Sequence, residues 1–166
     1  DCRGTVYKDS TGAPYIMIGR VSETALHYRV DSMTGLFNLK QLTEDLNRQF
    51  PKKHPGAFLL IGVDNLKNIN IRHGRLAGDQ TLRQMADILE SLLDFRSIYR
   101  FGGDVFAVML PGADEAAVCS FFARVQAAVS NHFTVSCGAV NLRHLAKNAK
   151  SFLQFAEFTL DRAKVR

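Results

Sequence analysis

The chain has 166 residues, 46% of them hydrophobic and 22% charged, a composition that fits one globular core plus an appendage and excludes a disordered chain. Three scattered cysteines, Cys2, Cys119 and Cys137, exclude a disulfide framework or a zinc site and point to a reducing cytoplasm, and the longest apolar run, 57–63, is far too short to cross a membrane. The net charge of +5 and pI near 9.3 favour an anionic partner, but the basic residues fall in short separate clusters without interleaved aromatics, which speaks against a single-strand nucleic-acid platform.

Residues 5–8 and 15–20 read as two short strands joined by the turn Asp9-Ser10-Thr11-Gly12. Two strands bury little by themselves, so residues 1–20 are expected to be the end of another domain. A linker helix is expected over 21–30, where Val21, Ala25, Leu26 and Val30 are apolar. Leu36, Leu39, Leu42, Leu46 and Phe50 recur at three- and four-residue spacing, which predicts an amphipathic helix over 36–50 with Thr34 as its cap and Pro51 as its stop. The continuous apolar run 57–64 predicts a strand buried on both faces that ends in Asp64. A polar stretch, 65–74, predicts a short helix and turn. Over 76–93, Leu82, Met85, Leu89 and Leu92 form one face of a long helix.

Strands over 97–101 and 105–110 flank Gly102-Gly103-Asp104, a β-hairpin with a carboxylate at its tip. Pro111-Gly112 breaks the chain. Val118, Phe121, Phe122, Val125 and Val129 then mark a helix over 114–131, followed by a strand over 133–140 and a helix over 149–164. The order β, α, β, β, α, β over 57–140 predicts an α+β fold, a ferredoxin-like or palm βαββαβ core with additional helices.

In that topology the first and third strands are central neighbours, which brings Asp64 and the hairpin acid Asp104 towards one end of the sheet. Two carboxylates with adjacent carbonyls offer oxygen ligands to Mg²⁺, which bridges to substrate phosphates in metal-assisted phosphoryl transfer. A purely structural role also fits, with Asp64 capping the next turn and Asp104 stabilising the hairpin.

Five blocks of the sequence resemble the GGDEF domain of diguanylate cyclases. Asp31-Ser32-Met33-Thr34-Gly35-Leu36-Phe37-Asn38 is similar to the opening D-x-L-T-G-L-x-N motif. Asp64 to Gly74, with Gly78-Asp79, is similar to D-x-F-K-x-I-N-D-x-x-G-H-x-x-G-D. Arg100-Phe101-Gly102-Gly103-Asp104-Val105-Phe106 resembles R-[YF]-G-G-D-E-F, and Thr134 to Gly138 and Ala156 to Lys164 resemble the later motifs. The resemblance covers 31–166, while residues 1–20 resemble the last strands of a PAS sensor domain.

The resemblance implies a nucleotide cyclase-like domain that binds GTP and, paired with a second copy, condenses two GTP into cyclic di-GMP. Asn70 and Asp79 take the guanine-recognising positions. The backbone of Asn65, Leu66 and Lys67, the glycines Gly102 and Gly103, and Lys164 take positions around the nucleotide and its phosphates. Mg²⁺ is the implied cofactor, with Asp104, the Val63 carbonyl and a displaced Asp64 as its ligands here.

The catalytic positions depart from the pattern. The family's metal-binding aspartate falls on Gly62 and the glutamate of its signature on Val105, leaving Asp104 as the one catalytic acid in place. The product-inhibition motif R-x-x-D falls on Leu93 to Arg96 and matches at neither end. The expected function is that of a degenerate GGDEF domain in cyclic di-GMP signalling, binding GTP or a related guanine nucleotide with little or no cyclase activity. It is expected to act as a homodimer or beside an output domain such as EAL, with no nucleic-acid partner and no membrane contact by this segment. An active diguanylate cyclase and a dimerising signal-transmission module that binds no nucleotide are the alternatives. An RNA-recognition domain shares the strand order but needs stacked aromatics on its central strands, where this chain has Phe58 and Phe106 among aliphatics.

Overall fold

The computed structural model describes residues 2–8, 14–21, 28–49, 55–143 and 148–165. β1 (Cys2–Lys8) and β2 (Pro14–Val21) form an antiparallel pair with Cys2 opposite Val21. Both strands are longer than the sequence pattern predicts, and the turn expected between them lies outside the described residues. Most of the expected linker helix, 22–27, also lies outside them. At its two ends no helix forms, because Val21 closes β2 and Val30 bridges to Phe37.

The helix expected over 36–50 begins later. Phe37–Asn38 forms β3, a two-residue strand parallel to the strand of the hairpin, with Phe37 opposite Tyr99 and Asn38 opposite Arg100. Leu36 is fully buried, but in the core on the opposite side of the sheet from Leu42 and Leu46. Its helical spacing to Leu39 is therefore incidental, since pairing with a neighbouring strand overrides local propensity. α1 runs Leu39–Gln49. Asn38 caps it, its Oδ1 accepting from the N–H groups of Lys40 at 3.0 Å and Gln41 at 3.2 Å. Thr34 is not the cap. It donates its N–H and hydroxyl to Asp31 Oδ1 at 3.0 and 2.7 Å, closing the turn before β3.

β4 (Gly56–Val63) is an inner strand of the sheet and is buried along its whole length. α2 (Leu66–His73) and α3 (Arg75–Leu92) follow. After one 3₁₀ turn come β5 (Ile98–Gly102) and β6 (Val105–Pro111), then α4 (Glu115–Val129), β7 (Val135–Asn141) and α5 (Ala149–Lys164). Strand order is β3-β5-β6-β4-β7, with β4 antiparallel to both β6 and β7. Apart from the added edge strand β3, this is the split βαβ order, and the chain has the expected α+β fold.

Alternation along β4 divides the core in two. Leu59, Ile61 and Val63 pack with Met85 and Leu89 of α3 and Phe121 and Val125 of α4. Phe58 and Leu60 face the other way, onto Leu42 and Leu46 of α1 and Phe152 and Leu160 of α5. Phe58 and Phe152 meet edge to face with centroids 5.3 Å apart, a favoured aromatic geometry. Among the described residues no helix is long and apolar enough to cross a membrane.

Candidate functional site

The β5–β6 hairpin is closed by two glycines in positive-φ conformations, Gly102 at 147° and Gly103 at 57°, which side chains other than hydrogen rarely tolerate. Arg100, buried at the end of β5, braces the turn from inside. Its Nη2 donates to the Gly103 carbonyl, and its guanidinium lies 4.5 Å over the Phe106 ring. Burial pulls the Arg100 pKa down from its ordinary value, while the charges of Asp31 and Asp104 act in the other direction. The turn is also tied to the end of β4, because the Asp104 carbonyl accepts from the Val63 N–H at 2.9 Å.

Beside this turn opens a cleft of about 830 Å³. Gly102, Gly103 and Asp104 form one wall, and the start of α2 with Asn65, Leu66 and Lys67 forms another. Asn65 is left-handed, at φ 55°, and precedes the helix without a side-chain cap. The N–H groups of Leu66 and Lys67 occupy the first helical positions, where no carbonyl lies a turn behind to receive them. Such donors are suited to an anion.

Asn70 and Asp79 line the same cleft from α2 and α3. Asn70 Oδ1 is buried without a hydrogen-bond partner, and a Cβ on Gly78 would collide with it. Gly78 thus makes the space in which the Asn70 amide sits. Arg100 Nη1 is likewise buried without a partner and lines the cleft. Buried polar groups normally have partners, and each one left unpaired costs about 1–3 kcal/mol. An acceptor, a carboxylate and a cation lining one cleft suit a ligand that has donors in one part and negative charge in another.

At the metal position the geometry differs from the sequence expectation. Gly62 lies in the ladder between Val105 on β6 and Ser136 on β7. Asp64 is drawn to the β7 side, where its Oδ1 accepts from Ser136 Oγ at 2.8 Å and its N–H donates to the Thr134 carbonyl at 2.9 Å. Asp104 stands on the β6 side, and its Oδ2 is bound to Lys164 Nζ at 2.6 Å. The two acids are therefore separately engaged across Gly62. Among the described residues no three His, Cys, Asp or Glu side chains gather as metal ligands. The donors at hand fit Mg²⁺ poorly: Gly62 and Val105 have no side-chain oxygen, Asp64 is held by Ser136, and the Asp104 carboxylate is already paired with an ammonium, whereas Mg²⁺ takes one or two free carboxylates beside water and phosphate oxygens. Lys164, expected near the nucleotide phosphates, is paired with Asp104 and lines an adjoining cavity of about 500 Å³ that Asp104 shares with the cleft.

Residues 28–166 match the family described as diguanylate cyclase, GGDEF domain. The chain belongs to the GGDEF family. Diguanylate cyclase DgcZ of Escherichia coli K12 is 31% identical over 127 residues, 74% of this chain and 43% of that protein. Probable diguanylate cyclase DgcI of the same organism is 36% identical over 115 residues, 68% of this chain and 24% of that protein. The chain thus spans less than half the length of these curated relatives. Among solved structures, a sensory box/GGDEF family protein from Caulobacter crescentus superposes with a TM-score of 0.70 at 28% identity, covering 82% of this chain and 98% of that one. The coiled coil and GGDEF domain of DgcB from the same organism, in complex with c-di-GMP, gives 0.76 at 21% identity over 86% of this chain and 84% of that one, a likeness of fold.

Within this GGDEF domain the residues named from the sequence divide into two groups. Asn65, Leu66, Lys67, Asn70, Asp79, Gly102, Gly103 and Asp104 share the main cleft, whereas Lys164 meets Asp104 from an adjoining cavity that this acid also lines and Asp64 is hydrogen-bonded to Ser136 on β7. Arg100 carries no assigned role in the sequence pattern beyond opening the hairpin motif, although an arginine set in an apolar strand two residues before a Gly-Gly turn is a legible signal of a buried cation with a local task. Gly78 matches the glycine of the second block, but its role depends on the packing of α2 against α3 and is visible only in the fold.

Proposed function

We propose that this GGDEF domain is a guanine-nucleotide-binding regulatory module that has lost most or all cyclase activity. The supporting observation is that Asn70, whose amide oxygen is buried and unpaired, and Asp79 line one cleft, while the two strand positions facing each other at the turn, Gly62 and Val105, carry no side-chain oxygen. The Watson–Crick edge of guanine presents an N–H and an exocyclic amine. The Asn70 Oδ1 and the Asp79 carboxylate are acceptors for both. Adenine reverses part of that pattern and leaves an acceptor unmet, which sets the preference for guanine. The triphosphate extends towards the Leu66 and Lys67 N–H groups and the cationic side chains of Lys67 and Arg75 on the cleft wall.

Joining two such nucleotides requires stabilisation of the charge that develops at phosphorus and a group to accept the hydroxyl proton. Neither Gly62 nor Val105 supplies either, and each missing electrostatic group costs about 10²–10³ in rate. Asp104 alone, held by Lys164, does not replace them. Binding without turnover is the state of a sensor or allosteric module, set between an N-terminal PAS-like segment over 1–20 and a homodimeric or adjoining output partner such as an EAL domain. GTP titration by calorimetry, with product analysis after incubation with GTP and Mg²⁺ or Mn²⁺, tests this function. GTP affinity well above that for ATP, without cyclic di-GMP, is the expected result. Absence of GTP binding at millimolar nucleotide, or formation of the cyclic product, contradicts it.

A further inference from the structure

Lys164 is the last residue of α5, and Gly62 lies near the end of β4. A Cβ built on Gly62 would stand 2.6 Å from Lys164 Cε and 2.8 Å from Lys164 Nζ. The lysine therefore occupies the volume that any side chain at position 62 would take. Leu160, one turn earlier on α5, approaches the same point to 3.5 Å, so the stem of the lysine is flanked by apolar surface while its head reaches the hairpin. There the ammonium meets Asp104 Oδ2 at 2.6 Å. Directly opposite Gly62 on β6 is Val105, which offers no competing acceptor.

We propose that the Lys164 ammonium is the resident cation of this site and stands in place of a divalent metal, so that nucleotide binding is independent of Mg²⁺. Gly62 is the change that makes room for it. The inference deepens the guanine-nucleotide reading of the cleft and, for its nucleotide arm, rests on it. An ammonium has three donors, of which Asp104 takes one, leaving the others for phosphate oxygens. Both side chains of the pair remain about one-third exposed, at 30% and 34%, so a phosphate can approach them. A divalent cation seeking the same carboxylate would have to displace a like charge already in contact with it.

Two measurements on the whole chain test the assignment. In the first, Mn²⁺ is titrated into nucleotide-free protein and followed by electron paramagnetic resonance. Wild type is expected to bind no stoichiometric Mn²⁺ at micromolar metal, and Gly62→Asp/Lys164→Met is expected to acquire one bound ion. In the second, the GTP Kd is measured in Mg²⁺ and in EDTA, with an expected difference below about threefold in wild type. Lys164→Met is expected to weaken GTP in EDTA by about tenfold, whereas Lys164→Arg, which keeps the charge, retains most of the affinity. Thermal melts identify variants that fail to fold, and the wild-type Mn²⁺ titration decides the assignment without any variant. Tight Mn²⁺ binding by wild type, or GTP affinity that collapses on adding EDTA, overturns the proposal. Failure of GTP to bind in either buffer overturns the nucleotide reading instead, with the Mn²⁺ arm still deciding whether Lys164 excludes the metal.

Discussion

Asn70 and Gly78 work as a pair: the glycine leaves the space and the amide fills it, with an acceptor in the cleft wall unmet by protein. A ligand that donates to that oxygen regains the stability lost by burying it. Asn70→Ala should therefore weaken GTP binding by about ten- to a hundredfold, in line with about 1–3 kcal/mol for a buried hydrogen bond, while changing thermal stability little. Calorimetric titration and a melt on the same variant check both parts.

A second residue-scale prediction concerns Tyr99, whose buried hydroxyl donates to Asp45 Oδ2 at 3.0 Å. Its pKa is raised well above the ordinary 10.0, mainly by burial and further by the Asp45 carboxylate. The folded form therefore holds its proton after the unfolded chain has lost it. Below pH 10 the contribution to stability is complete, and above it stability falls as pH rises, by up to about 1.4 kcal/mol per pH unit. Urea unfolding as a function of pH should show the gap between wild type and Tyr99→Phe narrowing above pH 10. A gap that stays constant would show that Tyr99 ionises alike in both states.

The elements show where local sequence and tertiary packing agree. β4 follows its continuous apolar run because a core packs on each of its faces, and α3, α4 and α5 follow their apolar periodicities because each has one wide face to bury on the sheet. The start of α1 does not. Leu36 and Leu39 sit at helical spacing, yet one is enclosed in the far core and the other is 41% exposed at the cleft. No local pattern encodes that 37–38 will pair with β5, since the partner lies some sixty residues away in sequence. α5 also lies unusually close to the sheet at Gly138, where a Cβ would strike the backbone of Leu160 and the Thr159 side chain. Gly138→Ala should cost about 1–3 kcal/mol by overpacking. Because α5 carries Lys164, the same substitution should loosen the Lys164–Asp104 pair, which calorimetric GTP titration of the variant would register.

At the scale of the whole molecule, the strand order follows from the order of elements, because β4 must lie beside β6 for the split crossover to close. The candidate site was legible only in part. Asn70, Asp79 and the hairpin glycines were identified through the resemblance of whole blocks, and the fold brings them to one cleft. The positions of Asp64 and Lys164 were not legible, because both depend on what fills the space above a glycine. Asp64 had a serine hydroxyl available on β7, and Lys164 had an empty lattice point on β4 to enter. Restoring both acids, Gly62→Asp with Val105→Glu, asks whether the rest of the machinery survives. The double variant should gain measurable cyclic di-GMP synthesis in Mg²⁺, and each single variant should gain far less, since the two positions face each other in the ladder.

The central claim is that this domain recognises a guanine nucleotide without converting it. Its most direct test is one calorimetric GTP titration of the wild-type chain, with the same sample then incubated with Mg²⁺ and examined for cyclic di-GMP by mass spectrometry. Saturable GTP binding that ATP does not match, with no cyclic product, is the predicted result. No heat of binding at millimolar GTP, or accumulation of cyclic di-GMP, would contradict it.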